Sequence, residues 1–450
     1  MGNLSIGLIK PSLGARFGRP YRTPAALEPL VFALIAGATS ADVHLELFDE
    51  RYEAVPFDRP FSAVVLTVET YTARRSYQIA DEFRRRGVKV ILGGFHPTLL
   101  PDEAAGHADA VAVGEVEGVW HQILGDLKAG RLADRYHATE PRTPFHLDRR
   151  LLSKYRYLPL TLVETSRGCV HDCHFCSVRR FYGDRVRHRP IAEVVAELRT
   201  LDRSFIFFVD DNIAADPEHA MNLFQALRPL GLRWISQASL ATARRPGFLD
   251  AMAESGCFAV ILGLESLSPT NLQRMNKDWT LKLGTLESLL VEYRRRGILV
   301  YGTFVFGYDD DTPAVIEDTV DFTIAQRLFM ANFNILQPFP GTRVYEELAA
   351  DRRLLYERWW LDAEYRWERP AFRPRRMTVD ELAAAVANAR QRFGSVGNLL
   401  RRACDQWANV ADPFRAAVFL ASNVVSRLDI KRKTGLRLGF PEPEAMEGTR

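Results

Sequence analysis

Three cysteines stand in one short run, Cys169-Val170-His171-Asp172-Cys173-His174-Phe175-Cys176, with the spacing C-x3-C-x2-C. Thiolates are the ligands of iron–sulfur clusters, and a cubane normally takes four of them. Three on one loop, with no fourth cysteine nearby, leave one iron without a protein ligand. A metal with an open coordination position does chemistry, whereas a filled one is structural or only passes electrons. A structural zinc site is the alternative, but zinc knuckles need four ligands in two separated pairs. His171 and His174 lie between the cysteines, where so short a loop hardly lets them reach the same metal. Cys257 follows Ser255-Gly256 and opens an apolar run, so it reads as a small buried hydrophobe, and Cys404, in a helical-looking stretch, takes the same reading.

The cysteine loop follows the apolar run Leu160-Thr161-Leu162-Val163, the first of six strand candidates at 160–165, 204–209, 232–237, 257–263, 298–305 and 331–336. Helices of ordinary length separate them. Six β/α units in series imply a partial parallel barrel over 159–345, with the chemistry in loops at the carboxyl ends of the strands. Those loops carry Phe208-Val209-Asp210-Asp211-Asn212, Gln237-Ala238-Ser239, Leu262-Gly263-Leu264-Glu265-Ser266, Phe304-Val305-Phe306 and Pro338-Phe339-Pro340.

Upstream, apolar runs at 4–9, 43–48, 63–68, 88–92 and 110–113 alternate with amphipathic stretches such as 76–86. Continuous apolar strands between helices imply a parallel sheet covered on both faces. A five-stranded doubly wound (Rossmann-like) α/β domain over 1–135 fits, with its ligand beyond the carboxyl ends of the strands. The loops placed there are Thr67-Val68-Glu69-Thr70-Tyr71, Gly93-Gly94-Phe95-His96-Pro97-Thr98 and Gly114-Glu115-Val116-Glu117-Gly118. A double glycine permits close backbone approach to a bulky group. Residues 136–158, with Pro141 and Pro144, read as a linker, and 346–450 as a helical C-terminal domain. In that last part lie an aromatic segment around Trp359 and Trp360, which would build a substrate pocket with the barrel mouth or else be ordinary core, a capping box from Thr378 to Glu381, and a tail expected to be disordered from Pro441.

Composition narrows the class. The 450 residues are 47% hydrophobic and 26% charged with a formal charge of +3, ordinary for a soluble protein and too weak to imply nucleic acid or an anionic membrane as partner. Arg84-Arg85-Arg86-Gly87 and Arg294-Arg295-Arg296-Gly297 read as cationic last turns of helices rather than a binding patch. Five cysteines, three in a cluster motif, favour a reducing compartment. The start lacks a secretory pattern and no stretch reaches the length of a membrane span, so the expected location is cytoplasmic.

The cysteine loop, with Phe175 before its last cysteine, at the head of six β/α units, resembles the radical S-adenosylmethionine (radical SAM) superfamily. By that resemblance Asp210, Asp211 and Asn212 stand where the family contacts the methionine amino group. Gln237 and Ser239 end the third strand, and Gly263 and Glu265 resemble the G-x-E element near the SAM ribose. Phe306 and Pro338 would wall the site. The first domain resembles the cobalamin-binding domain of one subclass, through Gly93, Gly94, His96, Thr98, Gly114 and Glu115, and Thr67, Glu69, Thr70 and Tyr71 on the loop at the same sheet edge are further candidate contacts for that cofactor. One departure stands out. Cobalamin-dependent mutases carry D-x-H-x-x-G after the first strand, whereas this chain has Lys10-Pro11-Ser12-Leu13-Gly14 there. His44 sits in the second strand instead, so cobalamin is expected without a histidine below the cobalt.

The resemblance implies that Cys169, Cys173 and Cys176 hold a [4Fe–4S] cluster whose open iron binds SAM. One electron from a flavodoxin- or ferredoxin-like donor then yields methionine and a 5′-deoxyadenosyl radical. With cobalamin beside the site, the leading expectation is C-methylation of an unactivated carbon of a small molecule. A radical cyclase or oxidative enzyme without methyl transfer is the second reading. A non-enzymatic iron–sulfur and cobalamin sensor is the third, and Glu265 and the acidic turn speak against it.

Overall fold

The computed structural model describes residues 4–138, 147–404 and 408–441. The part of the expected linker that carries Pro141 and Pro144 lies outside them, as does the tail beyond Pro441. The chain divides into two compact units: Met1–Leu158 with Tyr356–Trp367 and Arg432–Arg450, and Pro159–Leu355 with Glu368–Lys431.

In the first unit β1 (Leu4–Lys10), β2 (Val43–Asp49), β3 (Ala63–Thr67), β4 (Lys89–Gly93), β5 (Ala110–Val113) and β6 (Arg135–His137) form one parallel sheet. Its order is β2-β1-β3-β4-β5-β6. The five expected strands are there. The sixth falls where the linker was expected, because a three-residue edge strand with one buried side chain, Tyr136, has no hydrophobic period to announce it. Alternation along each strand fills both faces. Ile6, Leu8, Ala63, Val65, Ile91 and Ala112 pack with Phe32 of α1 (Leu30–Gly37). The same layer holds Trp120 and Ile123 of α3 (Trp120–Lys128). Val64, Leu66, Val90 and Leu92 point the other way and are equally buried, as are Ile79, Ala80 and Phe83 of α2 (Ala73–Arg85). The sheet order reverses beside β1, where an open parallel sheet leaves a crevice at its carboxyl edge.

The second unit has six parallel strands in sequential order: β7 (Thr161–Val163), β8 (Phe205–Phe208), β9 (Arg233–Ala238), β10 (Cys257–Glu265), β11 (Leu299–Phe306) and β12 (Met330–Ile335). Helices lie between successive strands, among them α4 (Ile191–Arg199), α5 (Pro217–Leu227), α6 (Phe248–Glu254), α7 (Leu286–Arg295) and α8 (Pro313–Ala325). The core runs from Val163 through Phe208, Trp234, Val260 and Phe304 to Phe333. It also takes in Leu382, Val386 and Phe393 of α9 (Val379–Phe393), whose capping box from Thr378 to Glu381 is present.

Three expectations change here. Residues 346–450 do not make a third domain: Glu368–Lys431 joins the second unit, while Tyr356–Trp367 returns to the first. There Trp359 and Trp360 are core residues, packed on Tyr71 and His96, rather than the lining of a substrate pocket at the barrel mouth. Cys404 ends a short helix and is exposed, whereas Cys257 is buried as expected.

Candidate functional site

The cysteine loop leaves β7 through a short antiparallel frame in which Ser166 pairs with His188 and Arg167 with Arg187. Asp210, at the end of β8, secures that exit. Its carboxylate is fully buried and accepts from the Thr165 backbone N–H at 2.8 Å, from the Thr165 hydroxyl, and from Ser166 Oγ at 2.7 Å. The sequence placed Asp210 at a cofactor, but its oxygens are committed to the turn that aims the loop. Asp211 Oδ2 accepts from the Gly168 N–H at 3.0 Å, one residue before Cys169. The far side is held by the segment around Met275: the His174 N–H donates to the Met275 carbonyl at 3.1 Å and Asn276 Nδ2 to the Asp172 carbonyl at 2.8 Å. Arg343 Nη2 donates to the same Asp172 oxygen at 2.6 Å.

Burial pushes all three thiols up, Cys173 to about 11 and Cys176 to about 12, so metal binding at neutral pH must displace protons. Asn212 hydrogen-bonds Cys169. Among the described residues no three His, Cys, Asp or Glu side chains converge on a single ion. Three thiols on one pinned loop suit a cluster, in which each thiolate takes a different iron. His171 and His174 have other partners. His171 stacks on Trp279, with ring centroids 4.4 Å apart, and His174 lies 3.2 Å from the Tyr308 hydroxyl and 2.9 Å from Glu347.

Beside the thiols lies a buried ion pair. Lys277 Nζ donates to Glu265 Oε1 and to the Gly263 carbonyl, both at 2.9 Å. Burial alone would lower the Lys277 ammonium, but Glu265 and the neighbouring Cys173 outweigh it and hold it raised. Glu265 has φ of 63° in the left-handed region, where the pairing of β10 with β11 slips by one residue. A non-glycine residue there is strained, and such strain concentrates at functional positions. A Cβ on Gly263 would lie 2.2 Å from Glu265 Oε1, so the absent side chain makes the space the pair occupies. Lys277 was not singled out in the sequence, because it lies 12 residues beyond Glu265 in a polar stretch with no spacing rule linking them.

The remaining expected positions divide. Gln237 Nε2 reaches the Asp210 carbonyl at 3.4 Å and Ser239 caps the turn after β9. Both lie at the same sheet edge as the thiols, and Phe175 packs partly buried against the core. Phe306 does not wall an opening: it is 1% exposed and stacks on Phe304 and Phe333. Pro338 is buried in the loop after β12.

In the first unit the three loops meet at the carboxyl edge, held by their own polar groups. Thr98 Oγ1 donates to the Gly94 carbonyl at 2.8 Å and accepts from the Gly114 N–H at 2.9 Å, stitching the second loop to the third. His96 is fully buried, with Nε2 2.9 Å from Glu103 and Nδ1 3.3 Å from Thr70 Oγ1. Glu103 also accepts from Tyr77 and Trp360. His96 is therefore part of the domain's interior. Glu69 reaches Lys10 at 2.6 Å, the Tyr71 ring lies 4.2 Å from Trp367, Thr67 is half-buried and Glu115 buried. Gly94 has φ of 107°, and a Cβ there would lie 2.9 Å from the Val68 carbonyl, so its own backbone demands glycine.

Residues 163–323 match the family model described as the radical SAM superfamily. The chain is 32% identical over 337 residues, 71% of its length, to bacteriochlorophyllide d C-12(1)-methyltransferase of Chlorobaculum tepidum and covers 73% of that protein. This chain belongs to the radical SAM superfamily. It is also 27% identical to the bacteriochlorophyllide d C-8(2)-methyltransferase of the same organism, over 73% of this chain and 78% of that one. In fold it matches the radical SAM methyltransferase TsrM of Kitasatospora setae, a structure with cobalamin and a [4Fe–4S] cluster bound. That match has a TM-score of 0.62 at 19% identity and covers 78% of this chain and 75% of the other. As a radical SAM enzyme the chain has its cysteine loop and Glu265 inside the matched span. No described helix is long and apolar enough to cross a membrane.

Proposed function

We propose that this protein is a cobalamin-dependent radical SAM C-methyltransferase acting on a small molecule. The observation that carries the reading is the pinned three-thiol loop beside the buried Glu265–Lys277 pair, at the carboxyl ends of six sequential parallel strands. Cys169, Cys173 and Cys176 would hold a [4Fe–4S] cluster, leaving one iron for SAM. Glu265 and Lys277 present a carboxylate and an ammonium in a site that desolvates both, which suits the hydroxyls and the charged methionine end of SAM. Asp211 and Asn212 keep the loop in place from the β8 side. The carboxyl edge of the first sheet, where the loops of Gly93, Thr98 and Gly114 meet, would hold cobalamin. His96, the one buried histidine of that unit among the described residues, is already bonded to Glu103 and Thr70, which supports binding without a histidine below the cobalt. When bound, the cluster and SAM supply a 5′-deoxyadenosyl radical and cobalamin supplies a transferable methyl group. Methyl transfer is favoured over ring formation by the two bacteriochlorophyllide methyltransferases among the relatives.

The test is anaerobic reconstitution with iron, sulfide, SAM, cobalamin and a flavodoxin- or ferredoxin-type reductant, followed by mass analysis. Formation of 5′-deoxyadenosine together with S-adenosylhomocysteine is expected. 5′-Deoxyadenosine alone would replace methyl transfer by a cyclase or oxidative reaction. Full iron loading with neither product would leave only the sensor reading.

A further inference from the structure

The long helix Pro413–Lys433 turns an apolar face outward. Its inner face is anchored: Phe419 is buried against Phe329, Asn423 Nδ2 donates to the Phe329 carbonyl at 3.1 Å, and Arg402 Nη2 reaches Asn423 Oδ1 at 2.9 Å. The helix therefore cannot roll to hide its other side. On that side Leu420, Val424 and Leu428 are exposed, Leu420 by 53% and Val424 by 46%. Leu420, Val424 and Leu428 recur every fourth residue, so they stack one above another. The neighbouring helix Val396–Ala403 adds Val396 and Leu400, exposed by 65% and 62%. An ordinary surface helix shows water the reverse pattern.

Cations border this stripe. Arg427 lies one residue from Leu428, and among the described residues its guanidinium contacts only the Gly394 carbonyl, at 3.5 Å. Among the described residues Arg401 reaches only Asn398 Oδ1, at 3.4 Å. With Lys431, these residues form no ion pair among the described residues, and the one carboxylate of the long helix, Asp429, is only half-exposed. The chain's net charge of +3 conceals this local excess.

We infer that this face docks on an anionic lipid bilayer, with the helix lying in the plane of the headgroups. An apolar stripe bordered by unpaired Arg and Lys matches the layering of such a surface, acyl boundary beside phosphates. A second copy of this chain, meeting it face to face, fits less well, because it would set the same cations against one another. The inference stands apart from the proposed reaction.

It is tested by co-sedimentation of the full-length, cluster-reconstituted protein with vesicles of phosphatidylcholine, with and without phosphatidylglycerol. Binding is expected only to the phosphatidylglycerol vesicles and is expected to weaken at high salt. Leu420→Glu with Val424→Glu should reduce the bound fraction roughly tenfold, since each buried methylene contributes to the partition. Both side chains are exposed, so the melting temperature and SAM cleavage of that variant should match the parent. Arg427→Gln with Lys431→Gln should weaken binding to anionic vesicles and leave the fold intact. Failure of the parent to bind phosphatidylglycerol vesicles would overturn the inference, as would equal binding by the glutamate variant. A lipid-free dimer that the glutamate substitutions convert to monomer would assign the stripe to self-association instead.

Discussion

Both units are built from parallel strands with helices between them, and both gather loops at the carboxyl edge of a sheet, yet they treat polar groups there in opposite ways. In the first unit the polar side chains are satisfied from within: His96 by Glu103, and Thr98 by the backbone of its own loop and of the next one. Gly93, Gly94 and Gly114 put bare backbone at that edge. In the second unit the edge concentrates groups that are costly to bury, three thiols and the Glu265–Lys277 pair. A rigid, self-satisfied rim suits a large ligand held by shape. Buried charge and buried thiols suit a site where a metal and an ionic ligand supply what burial took away.

The largest expected effect lies on the reactive side. Replacing Cys169, Cys173 or Cys176 by Ala should abolish the cluster's visible absorption and all SAM cleavage, while Cys257→Ala should keep full iron content. Loss of iron in the Cys257 variant, with circular dichroism unchanged, would move the ligand set elsewhere.

Next comes the ion pair. Lys277→Met strands a buried carboxylate and should cost about 3–5 kcal/mol in denaturant unfolding. Lys277→Met with Glu265→Gln should recover part of that cost but not SAM affinity. A single variant as stable as the parent would show that the pair is less desolvated than its 8–10% side-chain exposure implies.

The two units should also answer pH with opposite sign. Burial raises Asp311 in the second unit from 3.8 to about 6, against hydrogen bonds from Gly307, Tyr308 and Asn271. The folded state there holds its proton more tightly than the unfolded chain. Stability should thus fall as pH rises from 3.8 to about 6 and level off above, a change on the order of 3 kcal/mol. Glu103 in the first unit is opposed by burial, yet its bonds from His96, Trp360 and Tyr77 leave it below its ordinary 4.5. Its contribution is present above that pH and is lost as pH falls below it. Melting curves of the Asp311→Asn and Glu103→Gln variants across pH 3–7 separate the two (roughly the range spanned by both groups). Parallel pH slopes in both variants would remove this contrast between the units.

The smallest effect concerns the paired glycines. Gly94→Ala should destabilise the first unit by about 1–3 kcal/mol, because its φ of 107° admits almost only glycine. At Gly93 a Cβ would meet Ala112 at an ordinary 3.5 Å, so Gly93→Ala should be nearly neutral. A larger side chain at Gly93, with the fold preserved, should block cobalamin uptake and leave slow SAM cleavage to 5′-deoxyadenosine. Unchanged cobalamin uptake by Gly93→Leu would remove that cofactor from this edge.

What the amino-acid sequence determined by itself was local or periodic. Strand after strand announced itself by apolar runs, the helix ends by Arg triplets before Gly87 and Gly297, and the thiol loop by a spacing that needs no partner from elsewhere in the chain. Tertiary structure decided everything that depends on which distant groups face one another. Asp210 and Glu265 look alike in sequence, each an acid after a strand. Only the fold shows Asp210 spent on Thr165 and Ser166 while Glu265 is held beside the thiols by Lys277. His96 and Gly94 read as ligand-facing, but one is bonded inside the domain and the other answers to its own backbone. Trp359 and Trp360 follow the last strand in sequence and pack in the first unit in space. Periodicity carries no information about such pairings, because a buried charge or ring is placed by the partner that satisfies it, and that partner can lie anywhere along the chain.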